Sequence, residues 1–363
     1  MKIERIEAMP IVVPFASRSD LPAWRGRDYG ALEALLIKIE TSDGITGWGE
    51  AFSYNCQGSV RAAAEQMLAP MLIGRDSRQI TGLMHEAQKV LHIYGRHGAL
   101  HYALSGIDIA LWDIAGKRAG RPVCDLLGGA VRSQINAYAS LFRFGSAERV
   151  AAAATEAIGA GYKRVKIHTR DVAEISAVRE ALGDEAVFMA DTNCAWSIDE
   201  AFRNVRAMRD LDLKWLEEPL FPPEDFTTLA AIRRETGVPL AAGENICGAY
   251  DFQKLIASGA VSYVQPSVIK VGGITEFRKV IALAEVNGVT LAPHSPYYGP
   301  GFLATLHLIA SQPEPCFIEY FRIGLEAMPY GDRTEPVAGA LAVPEQPGLG
   351  FEPDSHYLKE FRA

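Results

Sequence analysis

Cysteine is scarce in this chain of 363 residues: Cys56, Cys124, Cys194, Cys247 and Cys316 are five in number, widely scattered, and form no CxxC pair. An odd, dispersed set excludes a disulfide framework and a zinc ribbon, and fits buried thiols in a reducing compartment. No apolar run is long enough to span a bilayer. The opening stretch MKIERIEAMPIVVPF is broken by Glu4, Glu7, Pro10 and Pro14, so it lacks a signal peptide's apolar core and reads as a first strand. These absences predict a cytoplasmic protein with no membrane partner. A basic excess is missing as well. The formal net charge of -8 argues against a nucleic-acid partner, which requires a basic surface. An anionic small molecule stays compatible, because a local cation or metal reverses the field inside one cleft.

What is present is an ordinary globular composition, 48% hydrophobic and 22% charged, at a length that suits two domains or one large barrel with an appendage. The first part reads as α+β. Residues 3–13 and the segment ALLIKIETSDGITGWGE (34–50) are predicted strands, the second split by a Ser42-Asp43-Gly44 turn. A long helix follows in LSGIDIALWDIAGKRAG, where Ile107, Leu111, Trp112 and Ile114 recur at helical spacing. Two polar, aromatic loops, 16–30 and 53–59, are either plain connections or lids. From about residue 130 the texture becomes a repeat, in which INAYAS, KRVKIH, VFMAD, KWLEE, PLAAGE, SYVQPS, VTLAPH and CFIEY alternate with helical stretches. Eight strands alternating with helices predict a closed (β/α) barrel. The last segment, 335–363, lacks the pattern and is predicted to pack back on the first domain.

Each apolar segment after the first ends in a polar residue: His168, Asp191, Glu217, Glu244, Ser267, His294 and Glu319, spaced 23 to 27 residues apart. One β/α unit separates each from the next, and in a barrel the C-terminal strand ends ring one pocket. Asp191, Glu217 and Glu244 are successive carboxylates that would repel one another unless a positive charge sat among them. Each alone could pair with a lysine or arginine. As a periodic trio they point to a hard divalent cation, and a site keeping room for water and substrate suits Mg²⁺. Lys166 and His168, two apart in KRVKIHT, share one face of their strand, and His294 lies five strands further on. A metal flanked by bases is what abstraction of a proton α to a carboxylate requires, because the enediolate places two negative charges on oxygen.

In combination these residues resemble the mandelate racemase and muconate-lactonizing branch of the enolase superfamily. MADTN (189–193), WLEEP (215–219), GEN (243–245), VGG (271–273), PHSPYYGPG (293–301) and FIEY (317–320) fall in the family's order. The resemblance implies a (β/α)7β TIM-like barrel over 126–334 and an N-terminal α+β capping domain over 1–125, which 335–363 rejoins. It implies Mg²⁺ on Asp191, Glu217 and Glu244, with Asn193, Glu218 and Asn245 orienting these ligands. It also implies that Glu319 holds or polarises a small-molecule carboxylate substrate, that capping loops with Trp24, Arg25 and Tyr54 select it, and that the chain is a homo-oligomer. Lys or His bases working with Mg²⁺ are the general mechanism of this superfamily.

Two positions depart from the family's pattern. Relatives often carry Lys-x-Lys on the second strand; here Lys166-Ile167-His168 puts His168 in the base position, with Lys166 as its electrostatic partner. Relatives also place an Asp or a Lys where Ser267 stands, and serine can neither orient His294 nor act as the opposite base. Lys270, three residues on, is expected on the opposite face of a continuing strand and is assigned a structural role. Dehydration of an acid sugar, with His168 as base and His294 as acid, is therefore preferred. Racemisation or epimerisation, lactone cycloisomerisation, and a non-catalytic metal-dependent carboxylate binder are the alternatives.

Overall fold

A computed structural model describes residues 1–17 and 30–363. Trp24 and Arg25 lie outside the described residues. The N-terminal sheet is antiparallel, in the order β1 (Ile3–Pro14), β2 (Ala31–Thr41), β3 (Thr46–Ala51), with Ala8 opposite Ile37 and Ile37 opposite Gly49. The helix Ala99–Ala119 lies across this sheet and buries Ile107, Leu111, Trp112 and Ile114. Glycine makes that approach possible: a Cβ at Gly49 would stand 1.9 Å from the Gly106 carbonyl oxygen of the helix.

The repeat folds into a curled parallel sheet of eight strands: β4 (Gln134–Leu141), β5 (Arg164–His168), β6 (Val187–Asp191), β7 (Leu216–Glu217), β8 (Leu240–Ala242), β9 (Tyr263–Val264), β10 (Thr290–Leu291) and β11 (Ile318–Arg322). Sequential strands pair in turn, and β11 returns to pair with β4, so the last strand lies beside the first. Between β10 and β11 the described residues carry no ladder, and side chains span the seam instead: the Cys316 thiol reaches the Leu291 carbonyl at 3.4 Å. Val165 and Ile167 on β5 are buried against the surrounding helices, which turns Lys166 and His168 inward.

The C-terminal segment divides. A short strand β12 (Ala340–Ala342) pairs antiparallel with β4, whereas Phe361 and Ala363 hydrogen-bond along β1 and Tyr357 packs with Met9, Ile11, Val13 and Trp48. No helix among the described residues is long and apolar enough to cross a membrane.

Glu50 joins the two sheets. Its carboxylate, buried on the face of β3 away from Gly49, accepts the Gly301 amide (3.0 Å) at the start of the helix Pro300–Ala310. Burial pushes this carboxyl from its ordinary 4.5 up to about 7, against the lowering effect of the Gly301 and Gly299 amides. A folded value raised above the unfolded one favours the folded state fully at low pH, and that contribution is lost as the pH rises through about 7. The difference amounts to about 3 kcal/mol. Glu50→Gln removes this titration, so in denaturant melts the variant should gain on the wild type as the pH is raised. A difference that stays constant with pH would contradict the buried-acid account.

Candidate active site

The C-terminal ends of β5 to β8 and β11 converge on one buried cluster. Lys166 is fully buried, and its ammonium lies 2.7 Å from Glu217, 2.9 Å from Glu319 and 3.7 Å from Asp191. Burial alone would favour the neutral amine, but Glu217 and Glu319, with Tyr138 and Asp191, outweigh it and hold Lys166 well above the usual lysine range.

Asp191, Glu217 and Glu244 each offer a carboxylate oxygen to a common point, all within 4.8 Å of one another. Asp191 is held by the Asn193 backbone amide (2.7 Å) and side-chain amide (3.0 Å), and Glu217 by the Trp215 indole (2.9 Å). Glu244 stands just past β8, on a turn that needs glycine: Gly243 has φ +133, and a Cβ there would meet the Phe252 ring at 2.7 Å. Burial, with the charges of Asp191, Glu319 and Glu244 added to it, drives Glu217 far above the carboxylate range despite Lys166. A buried trio of hard oxygen donors converging on one point fits a divalent cation such as Mg²⁺.

Behind the trio, non-glycine backbone is held in the left-handed region at Asn193 (φ 47), Cys194 (φ 55) and Glu218 (φ 41). These turns lock together: the Cys194 amide donates to the Glu218 carbonyl at 2.7 Å, and the Glu218 carboxylate accepts the Asn245 amide at 2.7 Å and the Cys194 thiol at 3.0 Å. Burial pushes the Glu218 carboxyl up to about 8.

Two imidazoles reach the trio from opposite ends. His168 Nε2 lies 3.3 Å from Asp191, while its Nδ1 is tied to the Leu141 carbonyl at 2.6 Å. A carbonyl only accepts, so Nδ1 carries a proton, and Nε2 is the nitrogen that faces the trio. His294 Nε2 lies 2.8 Å from Glu244, and its Nδ1 is buried without a hydrogen-bond partner among the described residues, as is the hydroxyl of Ser267. Glu319 is fully buried and committed on both oxygens, to Ser140 Oγ (2.6 Å) and Lys166 on one and the Ser295 amide (3.1 Å) on the other. Tyr54 leaves the capping sheet to donate its hydroxyl to the Pro296 carbonyl, in the loop that carries His294.

Lys270 is not where an extended strand would put it. The ladder ends at Val264, and the chain then turns, the Lys270 and Val271 amides both donating to the Ser267 carbonyl (2.9 and 2.8 Å). The turn swings the side chain toward the site, where its ammonium meets Asn245 Oδ1 at 3.3 Å. Sequence reasoning also missed Arg143, which donates to Asn193 Oδ1 at 2.7 Å, and Ser140. Ser140 is the last residue of the INAYAS segment, inside β4, and Arg143 follows the end of that strand.

Residues 149–357 match the family described as enolase C-terminal domain-like, and residues 30–128 match the mandelate racemase / muconate lactonizing enzyme N-terminal domain. The chain belongs to the enolase superfamily. Within it, the chain is 36% identical over 339 residues to a 3,6-anhydro-alpha-L-galactonate cycloisomerase of Streptomyces coelicolor, covering 90% of each chain. It is 30% identical over 354 residues to an arabinonate dehydratase of Saccharolobus solfataricus, covering 94% of each. A solved superfamily structure, a racemase from Streptomyces coelicolor with bound magnesium, superposes with a TM-score of 0.85 at 32% identity, covering 99% of this chain and 100% of that one.

Proposed function

We propose that this superfamily member is a Mg²⁺-dependent enzyme that removes the α-proton of an acid sugar and expels its β-oxygen, giving a 2-keto-3-deoxy acid. Asp191, Glu217 and Glu244 would hold the metal. Bound there, Mg²⁺ supplies Lewis-acid stabilisation of negative charge on the substrate carboxylate. Lys166 adds a fixed positive charge on the same side, kept in place by Glu319 and Glu217. His168 Nε2 takes the proton from the α-carbon, its ring oriented by Leu141. His294, protonated, gives its proton to the departing oxygen as the β-carbon–oxygen bond breaks. The enol then ketonises, and the product has lost one water.

One observation carries this reading: two imidazoles flank the carboxylate trio, and only one of them has its Nδ1 anchored. Among the described residues no carboxylate meets His294 Nδ1, which suits a donor that works once per turnover better than a second base strong enough for racemisation. If the β-oxygen is part of a ring, the same elimination opens the ring with no loss of water, which is cycloisomerisation. The 36% identity to a cycloisomerase favours keeping that second reading. Screening acid sugars and their lactone and anhydro forms for semicarbazide-reactive products, with mass spectrometry, tests both. A 2-keto product lighter by one water supports dehydration, and one of unchanged mass supports cycloisomerisation. Inversion of configuration without a keto product would overturn both.

A further inference from the structure

Lys270 belongs to none of the steps above, yet it is among the most deliberately placed cations in the molecule. Its side chain is buried, and its ammonium lies 4.3 Å from the centre of the Phe52 ring, on the capping sheet's exit loop. The turn that carries it is clamped from the capping side. The Phe52 amide donates to the Ile269 carbonyl (3.1 Å), the His101 ring meets the Val271 carbonyl (3.2 Å), and Ser105 Oγ accepts the Gly272 amide (2.9 Å). With the backbone held there, the ammonium meets Asn245 Oδ1 at 3.3 Å. An amide whose oxygen faces a cation must turn its NH₂ the other way. Here that NH₂ donates to Glu218 Oε2 at 2.7 Å.

We propose that Lys270 is a positioning residue for the metal-ligand ring: it fixes the Asn245 amide, and through it Glu218, and offsets the negative charge beside Glu244 so that the ring is set before the metal arrives. It transfers no proton, and its contact with Phe52 makes the capping sheet part of the metal site's support. The inference rests on the metal reading of Asp191, Glu217 and Glu244.

The test is titration of the metal-free enzyme with Mn²⁺, followed by electron paramagnetic resonance, alongside turnover. Lys270→Met keeps the volume and apolar contact but removes the charge, and Mn²⁺ affinity should fall about 10- to 100-fold, as for other supports of metal ligands. Asn245→Leu should fall similarly, and the double variant should be no weaker than the weaker single one, because both break the same link. Should Lys270→Met fail to fold, Lys270→Gln removes the same charge and decides. Mn²⁺ affinity within about twofold of wild type in either folded variant overturns the proposal; loss of turnover in Lys270→Met with affinity intact would instead make Lys270 a proton-transfer group. Failure of the wild type itself to bind Mn²⁺ would sink the underlying metal reading.

Discussion

Replacing His168 by asparagine should slow turnover by about 10² to 10⁴, the usual contribution of a positioned general base, while leaving Mg²⁺ affinity nearly intact. The asparagine amide can still donate to the Leu141 carbonyl, the anchor that His168 Nδ1 uses at 2.6 Å, so the strand end keeps its shape. What it lacks is a lone pair that can take a proton where Nε2 now stands, 3.3 Å from Asp191. The loss should therefore fall on kcat and not on the metal isotherm. Retained activity in His168→Asn would remove the base assignment and shift attention to the other side of the trio.

The second large effect concerns the metal. Glu244→Gln removes one of three converging carboxylate oxygens without changing the size of the side chain. The wild type should gain thermal stability on adding Mg²⁺, by about 2.7 kcal/mol at a hundredfold excess over Kd, because the ion binds only the folded ring. Glu244→Gln should lose that gain, and turnover should drop by at least about 10³, since the metal's stabilisation of developing charge is worth several kcal/mol. His294 will also lose its 2.8 Å ion-pair partner, so comparing the variant's melting point with that of the metal-free wild type separates metal loss from simple destabilisation. A variant that keeps its Mg²⁺-dependent gain would show that the ion sits elsewhere.

The order of strands and the ring of strand-end groups were legible because a β/α unit repeats at nearly constant length, which is a one-dimensional property. His168, Asp191 and Glu217 end their strands as that periodicity requires. Lys270 was misplaced for a local reason: extrapolating a strand past Val264 ignored how soon Pro266 and the following turn end it. Partners brought in from elsewhere in the chain were beyond any periodicity. Phe52 beneath Lys270, Tyr54 on Pro296 and Glu50 at Gly301 depend on how the capping sheet seats against the barrel.

The central claim is that this site breaks a carbon–hydrogen bond next to a carboxylate, using a metal on the trio and His168 as base. It is tested most directly by following the α-proton of the substrate found in the screen by ¹H NMR, with wild type and His168→Asn, in Mg²⁺ and in EDTA. The expected result is loss of the α-proton signal only with wild type and Mg²⁺ together. Loss of that signal at the wild-type rate in EDTA, or with His168→Asn, would contradict the account.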